Sequence, residues 1–394
     1  LSKRSLSYIG RVAAPVLAVC LLAGGCLSSG EKRPISCPPA VSPPAAALLS
    51  QPSARVGAYY FDGWAGPLDG FHFAGLRDGP FSGRMPLYGW SDSSPATMQQ
   101  QLRWAAIYGI SFFVFDWYFA AHASHDPNLN HALRNYRSLR NHAGVGSALL
   151  YINTRSRTGQ DNFVIPRARW RATVEQWVTR DFVRSDYLRV AGKPVLFVLD
   201  SFGLKRQLGG DHGVHWAFAL LDRIAHEHGL PGVFVVGGVY VDHGFDWGRL
   251  SKLLSRERYD AVTQYAYPAA PGVRSGERSY RELIASAEQS WDRFARTSPI
   301  PYIPDVMAGW DPRPWNERVE GRLFWYRRTP SLFEQFVRDS LRWSAANSGA
   351  LVRGERRPLV LIEAWNELGE GSYIVPTVGT CHSYGRALAR ALGR

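Results

Sequence analysis

From Val56 to the C-terminus, short apolar runs alternate with longer stretches in which apolar residues recur at helical spacing. The apolar runs predict strands at Val56–Phe61, Ile110–Trp117, Ser147–Ile152, Pro194–Leu199, Gly232–Val236, Asp260–Tyr265, Ile300–Asp305 and Pro358–Glu363. The periodic stretches predict helices at Pro95–Tyr108, Leu129–Asn141, Trp170–Val183, Gly213–His228, Phe245–Leu254, Glu277–Thr297, Ser331–Asn347 and Ser383–Leu392. Most of the strand runs are apolar throughout rather than alternating, as expected of parallel strands covered on both faces. Eight strands, each followed by a helix, predict an α/β fold: a single (β/α)8 barrel with loop insertions, spanning residues 56–394. A doubly wound open sheet is the alternative. No glycine-rich nucleotide fingerprint follows the first strand, which weakens it.

The N-terminal residues follow a different pattern. Lys3, Arg4 and Arg11 precede an apolar run, Val12–Ala23, that ends in Leu-Leu-Ala-Gly-Gly-Cys at Cys26. A basic segment followed by an apolar run is the order of a secretory signal, and this run is short for a permanent span. Small residues before a cysteine resemble a bacterial lipobox, so residues 1–26 are expected to be a lipoprotein-type signal with Cys26 as the lipidated residue. Residues 27–55, rich in Pro, Ala and Ser, are expected to form an extended tether. The protein is thus expected to be exported and attached to a bacterial envelope membrane through this lipid alone. In an oxidising compartment Cys37 and Cys381 could pair; two separate thiols are the alternative.

The formal net charge of +13 raises the question of nucleic acid. The basic residues are nearly all arginine and are spread along the chain, so charge points to no nucleic-acid partner. Aromatic residues make up 13% of the chain, with Trp 14 and Tyr 18. Such side chains suit both a large core and stacking on sugar rings.

In a (β/α)8 barrel the site lies at the C-terminal ends of the strands. The first strand ends in Tyr60, Asp62 and Trp64; the second in Asp116, Trp117 and Tyr118; Asn153 and Arg155 follow the third, and Asp200 ends the fourth. Tyr265 and Tyr267 end the sixth, and Trp310 and Asp311 follow the seventh. The eighth leads into Glu363, Trp365, Asn366, Glu367, Glu370 and Tyr373. Acids, amides and rings in one mouth suit a poly- or oligosaccharide. Within this set, the segment PLVLIEAWNELGEGSYIVP at 358–376 is the candidate catalytic stretch. Glycines around the second carboxylate let the backbone fold tightly, and Glu367 and Glu370, three residues apart, can face one space. Crowding would drive their pKa values apart and supply an acid and a base together. His122, His125 and His131 near Asp126 match no metal spacing. No metal or organic cofactor is expected.

The motif AWNELGEGSY, with Tyr384-Gly385 downstream, resembles the AWNEWGEGxY…YG end of WbsX-like proteins of lipopolysaccharide biosynthesis. It also resembles the NEWxEGT segment of glycoside hydrolase family 99, the endo-α-mannosidases. DYLRVAGKPVLFVLD at 186–200 and GWDPRP at 309–314 are similar to further segments of these families. The resemblance implies a (β/α)8 barrel that cleaves α-mannosidic bonds with retention. Glu367 would be the base acting on the sugar's own 2-hydroxyl, Glu370 the general acid/base at the glycosidic oxygen, and the intermediate an anhydro-sugar. Leu368 stands where the motif has Trp, and Val375-Pro376-Thr377 where it has Glu-Pro-Asp. Asp116 stands where WbsX-like members tend to have His. These departures leave the pair intact and bear on which sugar is taken. Two other readings remain: an envelope polysaccharide-assembly transferase, and a glycan-binding protein without turnover.

Overall fold

The structure, a computed structural model, describes residues 37–39, 53–66, 68, 70–119, 129–154, 163–241, 245–265, 274–319, 321–353 and 355–394. The signal, Cys26 and most of the expected tether lie outside the described residues, as do His122, His125, Asp126, Arg155 and Tyr267. All described residues fall in one compact unit, Cys37–Arg394.

The strands are β1 (Arg55–Tyr60), β2 (Ile110–Trp117), β3 (Gly146–Tyr151), β4 (Lys193–Val198), β5 (Phe234–Val239) and β6 (Ala261–Gln264). They continue with β7, in two segments (Tyr302–Ile303 and Asp305–Met307), and β8 (Leu359–Glu363). All pair in parallel with their neighbours. The first segment of β7 pairs with β6 and the second with β8, and β8 pairs with β1, so the sheet closes on itself. Pro304 separates the two segments of β7; lacking an N–H, it interrupts the ladder there.

The helices are α1 (Pro95–Tyr108), α2 (His131–Ser138), α3 (Trp170–Trp177), α4 (Ser201–Gln207), α5 (Asp211–Glu227), α6 (Trp247–Glu257), α7 (Tyr280–Thr297), α8 (Pro330–Ala346) and α9 (Ser383–Ala391). Their starts carry local signals. Ser94 caps α1 ahead of Pro95, Ser279 and Glu282 form a capping box on α7, and Thr329 caps α8 ahead of Pro330. One expectation fails here. The helix expected from Glu277 begins at Tyr280, and Gly276–Ser279 is a strand pairing with Phe324–Arg327. That partner lies far along the chain, so local periodicity does not reveal it. Cys37 and Cys381 form a disulfide, and Arg386 donates to the Pro39 carbonyl. No described helix is long and apolar enough to cross a membrane.

Which residues face the barrel interior follows from the period of two along each strand. The Tyr59 ring meets Phe197 across the ring of strands, so Tyr59 points inward. Register then places Val114 beside it, and Asp116 one step higher on the same face. Tyr60 points the opposite way, into the helical layer, where Gln101 of α1 donates to its hydroxyl.

Candidate active site

The site is built around the chain that leaves β8. Asn366–Glu367 pairs antiparallel with Ser372–Tyr373, with Glu367 opposite Ser372, so Leu368 to Gly371 form a tight hairpin turn. Its two glycines have separate reasons. Gly371 has φ +73°, a left-handed conformation that side chains rarely adopt. At Gly369 a Cβ would lie 2.1 Å from the Trp315 ring. The turn is also held from outside. Arg84, almost fully buried, donates to the carbonyl of Leu368 (2.7 Å) and forms an ion pair with Asp311. The Asp311 N–H donates to the carbonyl of Glu370. Burial raises the Asp311 pKa, but hydrogen bonds from Arg313 and the charge of Arg84 outweigh this and hold it below the usual carboxylate range. One buried ion pair therefore fixes the backbone between the two glutamates.

Above the apolar interior, carboxylates gather. Glu363 is fully buried; its Oε2 accepts from the Ser372 hydroxyl at 2.6 Å. Its Oε1 has no partner among the described residues. Asp116 is 2% exposed and accepts from the Tyr118 hydroxyl, while its Oδ1 likewise has no described partner. Glu367 is 5% exposed, and the Tyr265 hydroxyl donates to its Oε1 at 3.3 Å. Glu370 is half-buried on the turn.

The electrostatics tie these groups together. Burial, then the charge of Glu370, pushes Glu363 well above the usual range. Burial, then the charges of Asp116 and Glu363, does the same to Glu367, and the hydrogen bond from Tyr265 opposes it. Asp116 is raised by burial and then by Asp62. Each acid's charge penalises its neighbours, so the cluster takes up and releases protons as a unit. Such a cluster can hold one proton ready to donate while keeping another carboxylate ready to accept.

Of the expected site residues, Glu367, Glu370, Glu363, Asp116 and Tyr265 are brought together. The others are placed elsewhere or act on the backbone. Tyr60, Trp117 and Trp365 face the helical layer: Tyr60 donates to Asp92, Trp365 to Gln101, and Trp117 packs edge-on to Trp177. Reading whole strand ends ignored the alternation that turns every second side chain away from the mouth. Asn366 grips the N–H and C=O of Phe61, and Asn153 the N–H and C=O of Asp200. Trp64 donates to the carbonyl of Asn366. Asp62 accepts from the N–H groups of Ala132 and Leu133 at the start of α2, and Asp200 caps α4. Trp310 is buried against Phe324. Asp311 and Tyr373 line a separate pocket of about 400 Å³ with Arg84, Arg313 and Arg328. The contacts given for these residues hold the mouth in shape.

Tyr118, from the end of the second strand, also belongs to the site, as do residues that the strand ends did not offer. Tyr59, one position before Tyr60, packs on Tyr265 inside the barrel. Tyr118 and Ser372 hold the Asp116 and Glu363 carboxyls. Tyr240, 44% exposed, stands at the rim edge-on to Tyr265. Strict alternation along β1 would have selected Tyr59 over Tyr60. Arg84 carries no local signal, since it meets the turn only in the fold. Among the described residues, no group of three or more His, Cys, Asp or Glu is arranged to hold a metal ion.

A closed (β/α)8 barrel with acids gathered at the C-terminal mouth is the architecture of many carbohydrate-active enzymes. The sequence profile of the family described as "Glycosyltransferase WbsX" matches residues 88–388, and the chain belongs to that family. No curated protein sequence matches it. Among solved structures, it is similar to a "Glycoside hydrolase-like protein" at 16% identity and TM-score 0.58, covering 92% of this chain and 97% of that one. It is also similar to the GH99 endo-alpha-mannosidase from Bacteroides thetaiotaomicron, at 17% identity and TM-score 0.55, covering 86% of this chain and 96% of that one. At these identities the likeness concerns the fold.

Proposed function

We propose that this protein is a retaining glycoside hydrolase that cleaves an α-linked glycan with Glu367 and Glu370. The observation that carries the reading is the fixed turn placing both glutamates beside Glu363, Asp116 and the Tyr265 hydroxyl at the barrel mouth. In the mechanism proposed, Glu367 takes the proton of the substrate's 2-hydroxyl while that oxygen attacks C1. Glu370 gives its proton to the departing glycosidic oxygen as the C1–O bond breaks. Water then opens the anhydro-sugar: Glu370 takes a proton from the water, and Glu367 returns one to O2. The chemistry differs from the usual retaining arrangement, in which a carboxylate attacks carbon itself. The GH99 neighbour is an endo-alpha-mannosidase, which makes an α-mannosidic linkage the first to test.

The family's description as a glycosyltransferase supports a second reading, transfer from an activated sugar. Nucleotide-sugar donors are cytosolic, so export of this chain would favour hydrolysis. Export as an envelope lipoprotein through Cys26 fits the same picture, because the Cys37–Cys381 disulfide suits an oxidising compartment. The test is incubation with α-mannans and bacterial envelope polysaccharides, reading released oligosaccharides and the anomeric configuration of new reducing ends. Inverted product, or activity only with a nucleotide-sugar, would overturn the reading.

A further inference from the structure

A second pocket, of about 530 Å³, lies between α2, α3 and the chain leaving β2. Its volume falls in the range of small-molecule sites, roughly 300–1,000 Å³. Four arginines line it: Arg134 and Arg137 from α2, Arg169 just before α3, and Arg180 just after it. Arg137 is neutralised by hydrogen bonds to Asp181 from its Nε and Nη2, and the charge of Arg180 also acts on that carboxylate. Arg134, Arg169 and Arg180 are exposed and form no ion pair with any described residue. Three further guanidinium groups along one concavity make it electropositive, which favours an anionic group there. Their planar forks match carboxylate and phosphate oxygens.

The position of the pocket adds a second argument. Tyr118 lines it, and the same residue's hydroxyl donates to Asp116 in the mouth. One side chain thus separates an acidic site from a basic one. We propose that this pocket is an anion subsite, binding a carboxylate- or phosphate-bearing sugar of the same glycan whose bond is placed at Glu367 and Glu370. The inference rests on the glycan reading above and narrows it to an acidic polysaccharide. The mouth then takes the uncharged residues, and the arginines set the register.

The test is calorimetric titration of the full chain carrying Glu370→Gln, which keeps substrates intact. The probes are a galacturonic acid tetrasaccharide, phosphorylated mannotetraose, plain mannotetraose and inorganic phosphate. The anionic oligosaccharides are expected to bind at least about tenfold tighter than plain mannotetraose, with the difference shrinking as salt rises. The variant Arg134→Gln/Arg169→Gln/Arg180→Gln should abolish that difference while leaving affinity for plain mannotetraose unchanged. All three side chains are exposed, so circular dichroism should report an unaltered fold; the triple Arg→Lys variant should restore part of the preference. The inference is overturned if the Gln variant binds the anionic probes as wild type does, or if no anionic probe outbinds plain mannotetraose. It is also overturned if inorganic phosphate alone binds as tightly as the oligosaccharides, which would make the pocket a free-anion site. In each case, wild-type cleavage of a glycan that Glu370→Gln does not cleave would still stand on its own.

Discussion

At the scale of single residues, the mouth is governed by the cost of burying charge. Glu367 has little access to water and has Asp116 and Glu363 as neighbours, so its proton is held more tightly than in an ordinary glutamate. A base must lose that proton before it can act. The acidic limb of the kcat/KM profile should therefore lie above the ordinary glutamate value of about 4.3. Asp116→Asn removes one negative charge, so the same limb should move to lower pH. A limb that stays in place in Asp116→Asn would show that the two groups are not coupled. Arg84 is a positioning residue: it donates to the carbonyls of Leu368, Gly369 and Asp311, pairs with the Asp311 carboxylate and lies over the Phe81 ring. Lysine keeps the charge but cannot span these partners in a planar fork. Arg84→Lys should lower kcat about 10- to 100-fold with little change in KM, as expected when a reacting group is displaced by a fraction of an ångström to an ångström. A change confined to KM would indicate that Arg84 acts on substrate rather than on the turn.

At the scale of elements, the turn after β8 depends on its backbone as much as on its acids. Gly371→Ala would force a left-handed residue to carry a Cβ, at about 1–2 kcal/mol, and that Cβ would also meet Asp311 at 2.7 Å. The variant should unfold at a lower temperature and lose activity out of proportion to that change, measured by thermal denaturation beside a rate assay. Wild-type activity in Gly371→Ala would mean that the turn geometry is not needed.

The strands and most helices were legible because buried parallel strands read as continuous apolar runs and several helix starts carry their caps in sequence. Register across the barrel was less legible, and with it the distinction between Tyr59 and Tyr60, since each strand end offers side chains to both faces. The Glu367–Glu370 turn stood out because its glycines and acids are contiguous. The parts that shape it are dispersed: Asn366 grips β1, Trp315 lies on Gly369, and Arg84 arrives from a loop near the start of the barrel. No local pattern connects them.

For the whole molecule, the buried acids make stability depend on pH in a direction opposite to that of salt-bridged carboxylates. Asp116, Glu363 and Glu367 have raised pKa values in the folded state. The folded chain therefore keeps protons that the unfolded chain releases near pH 4. Their contribution to stability is full below that pH and is lost as pH rises through the folded pKa values. Asp311 and Asp186, held below the usual range, act in the other sense and cost stability only as pH falls through their lowered values. Tm should thus be highest at mildly acidic pH and decline toward neutral, and Asp116→Asn should flatten that decline. A Tm that rises steadily from pH 5 to 8 would contradict the assignment of buried, proton-holding acids. The same arrangement accounts for the mouth's chemistry: a barrel that tolerates ionisable groups in its interior has stability to lose and proton transfer to gain.

The most direct test of the account is the release of oligosaccharides from α-mannans and envelope polysaccharides by the wild-type protein beside Glu370→Gln, read by mass spectrometry. The account predicts release by the wild type with retained anomeric configuration, and a loss of about 100- to 10,000-fold in the variant, the range of a general acid/base contribution. Full activity in Glu370→Gln on any glycan that the wild type cleaves would contradict it.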